Sequence, residues 1–108
     1  MARKLKRIVL VSGTFHPLHS KAERAAREVA EELGVDFEVK IEDYTYLAEY
    51  GVKDEFGSAS IPQVFAEFND GTVKPVLWEF PLNERLKPDI VKAKEQIKSR
   101  IEKAISGG

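Results

Sequence analysis

The sequence predicts an α/β fold in which helices flank a central four-stranded mixed sheet. Three patterns support this prediction: an apolar stripe of helical period that ends at Gly34, an alternating segment from Asp36 to Glu42, and two strand-like runs joined by an Asp70-Gly71 turn. The expected order of elements is β-α-β-α-β-β-α. At 108 residues the chain fits a single domain, residues 1–108, which is large enough to bury one modest core.

The first half of the chain reads as a βαβ unit. The β-branched run Arg7–Ser12 predicts a buried strand that ends at Gly13. The helical stripe follows, with its apolar positions at Ala22, Ala25, Ala26, Val29, Ala30 and Leu33. The alternating segment 36–42 then supplies a second strand, and a strand-helix-strand unit of this length has parallel strands and a right-handed crossover.

The second half predicts a hairpin between two helices. A short helix that ends at Gly51 is expected after the second strand. The arms of the hairpin are residues 64–68 and 73–80, and Pro75 places the second arm at the sheet edge or at a bulge. Pro88 is expected to open the last helix.

Composition limits the functional classes. The formal net charge of −1 argues against a general polyanion binder, so no nucleic-acid partner is expected. No run approaches the length of a membrane span, and we expect a soluble, cytoplasmic protein with no membrane partner. The chain is 32% charged and has one methionine, a bias that fits a heat-stable source or a designed surface. It contains no cysteine, so neither a disulfide nor a thiolate metal ligand can form.

Two local sequences carry a family resemblance. Thr14-Phe15-His16-Pro17-Leu18-His19 follows the first strand and opens the first helix, and Ser60-Ile61-Pro62-Gln63-Val64-Phe65 precedes the third strand. With the order of elements, these segments resemble the thioredoxin and glutaredoxin family of thiol-disulfide oxidoreductases. That family has a Cys-x-x-Cys motif at the first place and an Ile-Pro segment at the second.

The resemblance implies a thioredoxin-like fold and a cis Ile61-Pro62 bond that faces the motif. His16 and His19 stand at the cysteine positions, and imidazole cannot form a mixed disulfide, so the chain is expected to be redox-inactive as it stands. An extended peptide or protein partner could still pair beside the proline through its main chain. The residues that such a partner would contact are Phe15, Pro17, Leu18, Ile61 and Pro62.

Metal binding is an alternative use of His16 and His19. Neutral imidazole is a common metal ligand, and residues three apart can lie on one side of a helical turn. Two ligands leave a zinc, cobalt, nickel or copper site incomplete, so either exogenous ligands or a twofold, metal-bridged homodimer would complete it. The simpler interpretation is that both histidines are partly exposed loop or capping residues of a monomer. Pro17 could be the first helical residue, or the capping box Ser20–Glu23 could start the helix later.

A second family resemblance starts from the same loop. Gly13–His19 is similar to the nucleotidyltransferase signature, which implies phosphate binding at a helix N-terminus. His16 occupies the aspartate position of that signature, and Lys21-Ala22 stands where it continues with Gly-His.

Overall fold

The structure is a computed structural model, and it describes residues 3–107. The chain follows the predicted order of elements. The strands are β1 (Leu5–Ser12), β2 (Asp36–Ile41), β3 (Gln63–Phe68) and β4 (Val73–Leu77). The helices are α1 (His19–Leu33), α2 (Tyr44–Tyr50) and α3 (Ile90–Gly107), and none of these three is long and apolar enough to cross a membrane.

The four strands form one mixed sheet in the order β2-β1-β3-β4, which confirms the predicted α/β architecture. β1 runs parallel to β2 and antiparallel to β3, and β4 pairs antiparallel with β3. The paired residues at the carboxyl end of β1 are Ser12 with Ile41 and Val11 with Gln63. β1 therefore lies at the centre of the fold, with a neighbour on each side.

The core has two parts because side chains alternate across β1. Ile8 and Leu10 point to the larger core, which α1 and α3 cover. Val9 and Val11 point to the smaller core on the other face, where α2 contributes Leu47. All four β1 side chains have no exposed surface.

The first helix ends as its sequence predicts. Gly34 adopts the left-handed conformation with φ 68°, and its N–H donates to the carbonyls at the end of α1. The stripe from Ala22 to Ala30 is buried, whereas Leu33 in the last turn is exposed. The burial of small alanine side chains lets the helix approach the sheet closely.

Several predicted boundaries were wrong by one to three residues. β1 begins at Leu5 and not at Arg7, β2 ends at Ile41 and not at Glu42, and β3 begins at Gln63 and not at Val64. β4 ends at Leu77 and not at Phe80, because Leu77 already pairs with Val64 and β3 begins only one residue earlier, at Gln63. Arg100 of α3 donates to the carbonyl of Val76 over 3.1 Å and stacks on the Trp78 ring at 4.0 Å. α3 begins at Ile90, because the Asp89 side chain accepts a hydrogen bond from the N–H of Lys92 over 3.0 Å and caps the helix. Pro75 does lie on an edge strand, next to an irregularity in the β3–β4 register.

Charged side chains join α1 to α3. Lys94 pairs with Glu28 and Glu32, and Lys98 pairs with Glu32 over 2.7 Å. The hydrogen bonds from Lys94 and Lys98 lower the pKa of Glu32 to about 2. Part of the basic excess in the last helix is therefore neutralised by the neighbouring helix.

A polar network ties α2 to the sheet. The hydroxyl of Tyr46 donates to Glu67 Oε2 over 2.7 Å, and Arg7 donates to Glu67 Oε1 over 3.2 Å. The Tyr46 ring also meets Phe65 edge to face. Burial, and then the hydrogen bond to Glu67, raise the pKa of the Tyr46 hydroxyl above its ordinary value. The folded chain therefore holds Tyr46 in its neutral form.

We predict that Tyr46→Phe lowers the free energy of unfolding by about 1 kcal/mol, because Glu67 loses a hydrogen-bond donor. Since folding raises the Tyr46 pKa, the contribution of this group is present below pH 10 and is lost as the pH rises above the ordinary value of 10.0. The difference between the wild type and the variant should therefore shrink at alkaline pH. Urea unfolding at neutral and alkaline pH measures both effects.

The exposed residue Tyr44 offers the matched control. Tyr44→Phe should leave stability unchanged at neutral pH. Equal destabilisation by the two variants would contradict the role assigned to the Tyr46–Glu67 bond.

Candidate functional site

The two segments singled out in the sequence meet at one end of the sheet. Val11 pairs with Gln63 in the antiparallel register of β1 and β3. Ser12, which follows Val11, and Pro62, which precedes Gln63, therefore lie opposite each other. The loop 13–18 leaves β1 at this point, and the Ile61-Pro62 bond is cis, the configuration that the resemblance implies.

Two successive turns form the loop between β1 and α1. The N–H of His16 donates to the carbonyl of Gly13 over 2.9 Å, and the N–H of His19 donates to the carbonyl of His16 over 3.0 Å. α1 then begins at His19, with Leu18 in the cap position and no side-chain cap. Neither start considered from the sequence is the one observed, because the turn bond at His19 satisfies an N–H that a capping side chain would otherwise serve. His16 is a loop residue, and His19 is the first helical residue.

The ring of His16 is held by the loop itself. Its Nδ1 accepts a hydrogen bond from the N–H of Leu18 over 3.0 Å, so Nδ1 carries no proton in this arrangement. A neutral ring with a bare Nδ1 has its proton on Nε2. His16 would have to break the bond to Leu18 before either ring nitrogen could bind a metal ion.

The ring of His19 has a different environment. Its Nδ1 lies 2.9 Å from the hydroxyl oxygen of Ser12, which has no exposed surface. If Nδ1 donates to Ser12, then Nε2 has a free lone pair, and the serine orients the ring as the polar neighbours of metal-binding histidines do. His19 is therefore the better-prepared ligand of the two.

A complete metal site does not follow from these two rings. Among residues 3–107, no group of three or more His, Cys, Asp and Glu side chains could hold a metal ion. Transition-metal binding through His16 and His19 stays a prediction, and the geometry assigns the stronger role to His19.

The candidate peptide-contact residues differ in exposure. Phe15 is 67% exposed and its ring lies over Gly13, where an added Cβ would be 2.4 Å from Phe15 Cε1. Pro17 is exposed as well. Leu18 is half-buried against the larger core and Ile61 against the smaller one. Pro62 is half-buried. Phe15 and Pro17 thus face solvent, whereas Leu18 and Ile61 also anchor the site to the fold.

Sequence reasoning missed a buried amide next to the site. Gln63 is 2% exposed, and its side chain accepts from the N–H of Val52 over 3.0 Å and donates to the carbonyl of Val52 over 3.1 Å. The loop after α2 is therefore tied to the start of β3. A glutamine directly before the mainly apolar strand segment Val64–Phe68 is the signal that could have identified it.

Exposed apolar side chains continue around this end of the sheet. Ile41 ends β2, Tyr44 begins α2, and Trp78 follows β4, whose Leu77 pairs with Val64. All three are exposed. Together with Phe15 they give this end of the sheet an apolar character that the individual segments do not reveal.

No protein-family model and no curated protein matches the chain.

We predict that His16→Ala lowers the free energy of unfolding by about 1 kcal/mol, because the Leu18 N–H loses its acceptor. Asparagine can accept the same hydrogen bond two residues along the chain. His16→Asn should therefore stay close to the wild type. Denaturant unfolding of the three proteins, with hydrogen exchange at the Leu18 amide, measures the effect. A loss of stability that is the same for both variants would show that the ring packs but does not accept this bond.

Proposed function

We propose that the chain is a thioredoxin-like domain without redox activity, which binds extended, apolar peptides beside Pro62. The observation that carries the proposal is the β1–β3 register, which puts the histidine loop and the Ser60–Pro62 segment at the same end of the sheet. Those are the two segments that resemble the motif and the proline segment of the thioredoxin and glutaredoxin family.

The arrangement of layers supports the proposed fold. A parallel β1–β2 pair is followed by the β3–β4 hairpin and a closing helix, as in that family. α1 and α3 pack on one face of the sheet and α2 on the other. The nucleotidyltransferase resemblance has less support, because β3 runs antiparallel to β1 and does not extend a parallel sheet.

The chemistry of the loop supports the absence of redox activity. Dithiol exchange needs a thiolate that attacks a disulfide and a second thiol that resolves the intermediate. The structure has imidazoles at both positions, and one of them, His16, is bonded to its own loop. What such a domain retains is the surface that would orient a peptide.

Main-chain groups next to Pro62 are suited to peptide pairing. In the described part of the chain, neither the N–H nor the C=O of Ile61 bonds to another main-chain group. An extended peptide could bond to both groups, as in β-strand addition. Phe15 and Trp78 offer exposed apolar surface to its side chains, and the exposed Glu42 favours a peptide with basic residues.

We predict that carboxymethylated insulin B chain, a largely apolar probe without free thiols, perturbs the amide signals of Ile61 and Phe15 in nuclear magnetic resonance titrations. Phe15→Ala should weaken binding about tenfold, the loss expected for an exposed aromatic contact at an interface centre. Leu86→Ala is the matched control, because Leu86 is an exposed apolar residue in the β4–α3 loop. Shift changes confined to other surfaces, or equal effects of both variants, would refute peptide binding at this site.

We further predict that the double variant His16→Cys, His19→Cys catalyses the reduction of insulin by dithiothreitol, whereas the wild type does not. The hydrogen bond from His19 to His16 closes a turn whose end Cα atoms are within about 7 Å, close to the range of a disulfide. A thiolate at position 16 could accept from the Leu18 N–H at the start of α1, which favours the reactive form.

A cysteine pair elsewhere on the molecule gives the control for this experiment. Ser99→Cys with Glu102→Cys places two thiols at the same spacing on the exposed face of α3. Insulin reduction no faster than with the control pair would contradict the thioredoxin-like assignment.

A further inference from the structure

The open edge of β2 forms a self-complementary surface. We propose that it pairs antiparallel with β2 of a second copy of the chain, giving a dimer that needs no metal. β2 is the outermost strand on its side of the sheet, and within residues 3–107 no other strand covers its free edge. The proposal does not rest on the peptide-binding function.

The pairing with β1 determines which main-chain groups of β2 are free. The N–H of Glu42 donates to the carbonyl of Ser12 over 2.7 Å, so this residue points to β1. The direction alternates along a strand, so the even-numbered residues of β2 also point to β1. The N–H and C=O groups of Phe37, Val39 and Ile41 therefore point to the open edge.

One antiparallel register uses all of these groups. It sets Val39 opposite Val39 of the second copy, on the twofold axis, and sets Phe37 opposite Ile41 on both sides of the axis. Residues opposite each other without mutual main-chain bonds have Cα atoms about 4.5 Å apart. In this register those residues are Glu38 and Lys40 of the second copy, so two ion pairs form. Ile41, which is 47% exposed, is covered by Phe37 of the second copy.

The neighbouring registers use fewer of the free main-chain groups. A shift in one direction sets Ile41 beyond the end of the partner β2 and Glu38 opposite Glu38, although it also brings Asp36 opposite Lys40. A shift in the other direction sets Phe37 beyond the end of the partner strand and Lys40 opposite Lys40, and like charges opposite each other destabilise a strand pair. The preferred register brings Asp36 towards Glu42, but Glu42 follows β2 with φ 49°, which turns the chain out of the strand. Opposite charges therefore face each other only at the centre of β2, where each strand pairs with the same segment of the second copy.

The other outer strand lacks these features. β4 contains Pro75, which has no N–H to offer, and its register with β3 is irregular. Charges on an edge strand usually keep copies apart. On β2 they alternate in sign, as Glu38 and Lys40 pair within one copy over 3.2 Å, and this alternation makes the twofold register attractive.

Sedimentation in EDTA over a concentration series tests the dimer. A single pair of short strands buries little surface and binds weakly, so the concentration series extends to about 1 mM. Wild type should dimerise. Lys40→Glu and Glu38→Lys should each raise the dimer Kd about tenfold or more, because each converts both ion pairs into like-charge pairs. Mixing the two variants should restore dimerisation, because each mixed pair sets opposite charges across the axis. Glu31→Lys on the exposed face of α1 is the control and should have no effect.

Cross-linking tests the register. The chain contains no cysteine, so an introduced cysteine can form a disulfide only with its copy in the second chain. Val39→Cys should form a disulfide-linked dimer under mild oxidation, since Cα atoms in a bonded pair are about 5.5 Å apart and within disulfide range. Glu38→Cys should not cross-link, because position 38 lies opposite position 40 of the second copy, so the two introduced cysteines are offset diagonally. A chain that stays monomeric throughout, charge variants that behave like wild type, failure of the mixture to dimerise, or cross-linking only through position 38 would each overturn the proposal. A dimer seen only with added zinc and lost in His16→Ala, His19→Ala would overturn it in favour of histidine bridging.

Discussion

Both layers of the molecule depend on the pairing of β1 with a strand on each side. Its side chains alternate between the two cores. Ile8 points to the larger core and Val9 to the smaller one, and neither has any exposed surface. Its main-chain groups are shared in the same way, because the even-numbered residues bond to β2 and the odd-numbered residues to β3. The strand therefore fixes the positions of its neighbours. The candidate site follows from this arrangement, since the end of β1 faces the proline segment before β3.

Local patterns were sufficient to predict the order of elements, because each helix and strand carries its own periodicity. The boundaries were harder to predict. β4 ends early because its partner β3 begins at Gln63, so the residues after Leu77 have no strand to pair with, and this depends on the tertiary pairing. α3 starts late because Asp89 acts as its cap. That cap is a local feature, but the residue types alone offered more than one acceptable start.

The candidate site was less accessible from sequence. The residues alone identify the loop and the proline segment separately, and only the family resemblance implied that the two face each other. Their meeting depends on the β1–β3 register. The roles of the histidines could not be read from their spacing, since both lie in the same short motif. One accepts a bond from its own loop, whereas the other meets a buried serine from the end of β1. The apolar character of this end of the sheet was also hidden, because Ile41 ends β2 and Trp78 follows β4, far apart along the chain.

Glu67 joins residues that are far apart along the chain, Arg7 on β1 and Tyr46 on α2. Removal of one partner leaves the others with incomplete hydrogen bonding, whereas replacement of all three by apolar side chains of matching volume leaves nothing to satisfy. Substitutions within this group are therefore not additive. We expect substitutions of the trio to be tolerated mainly when all three residues change together. A lineage that changes it one residue at a time passes through less stable intermediates, so descendants should carry either the whole set or a wholly different one.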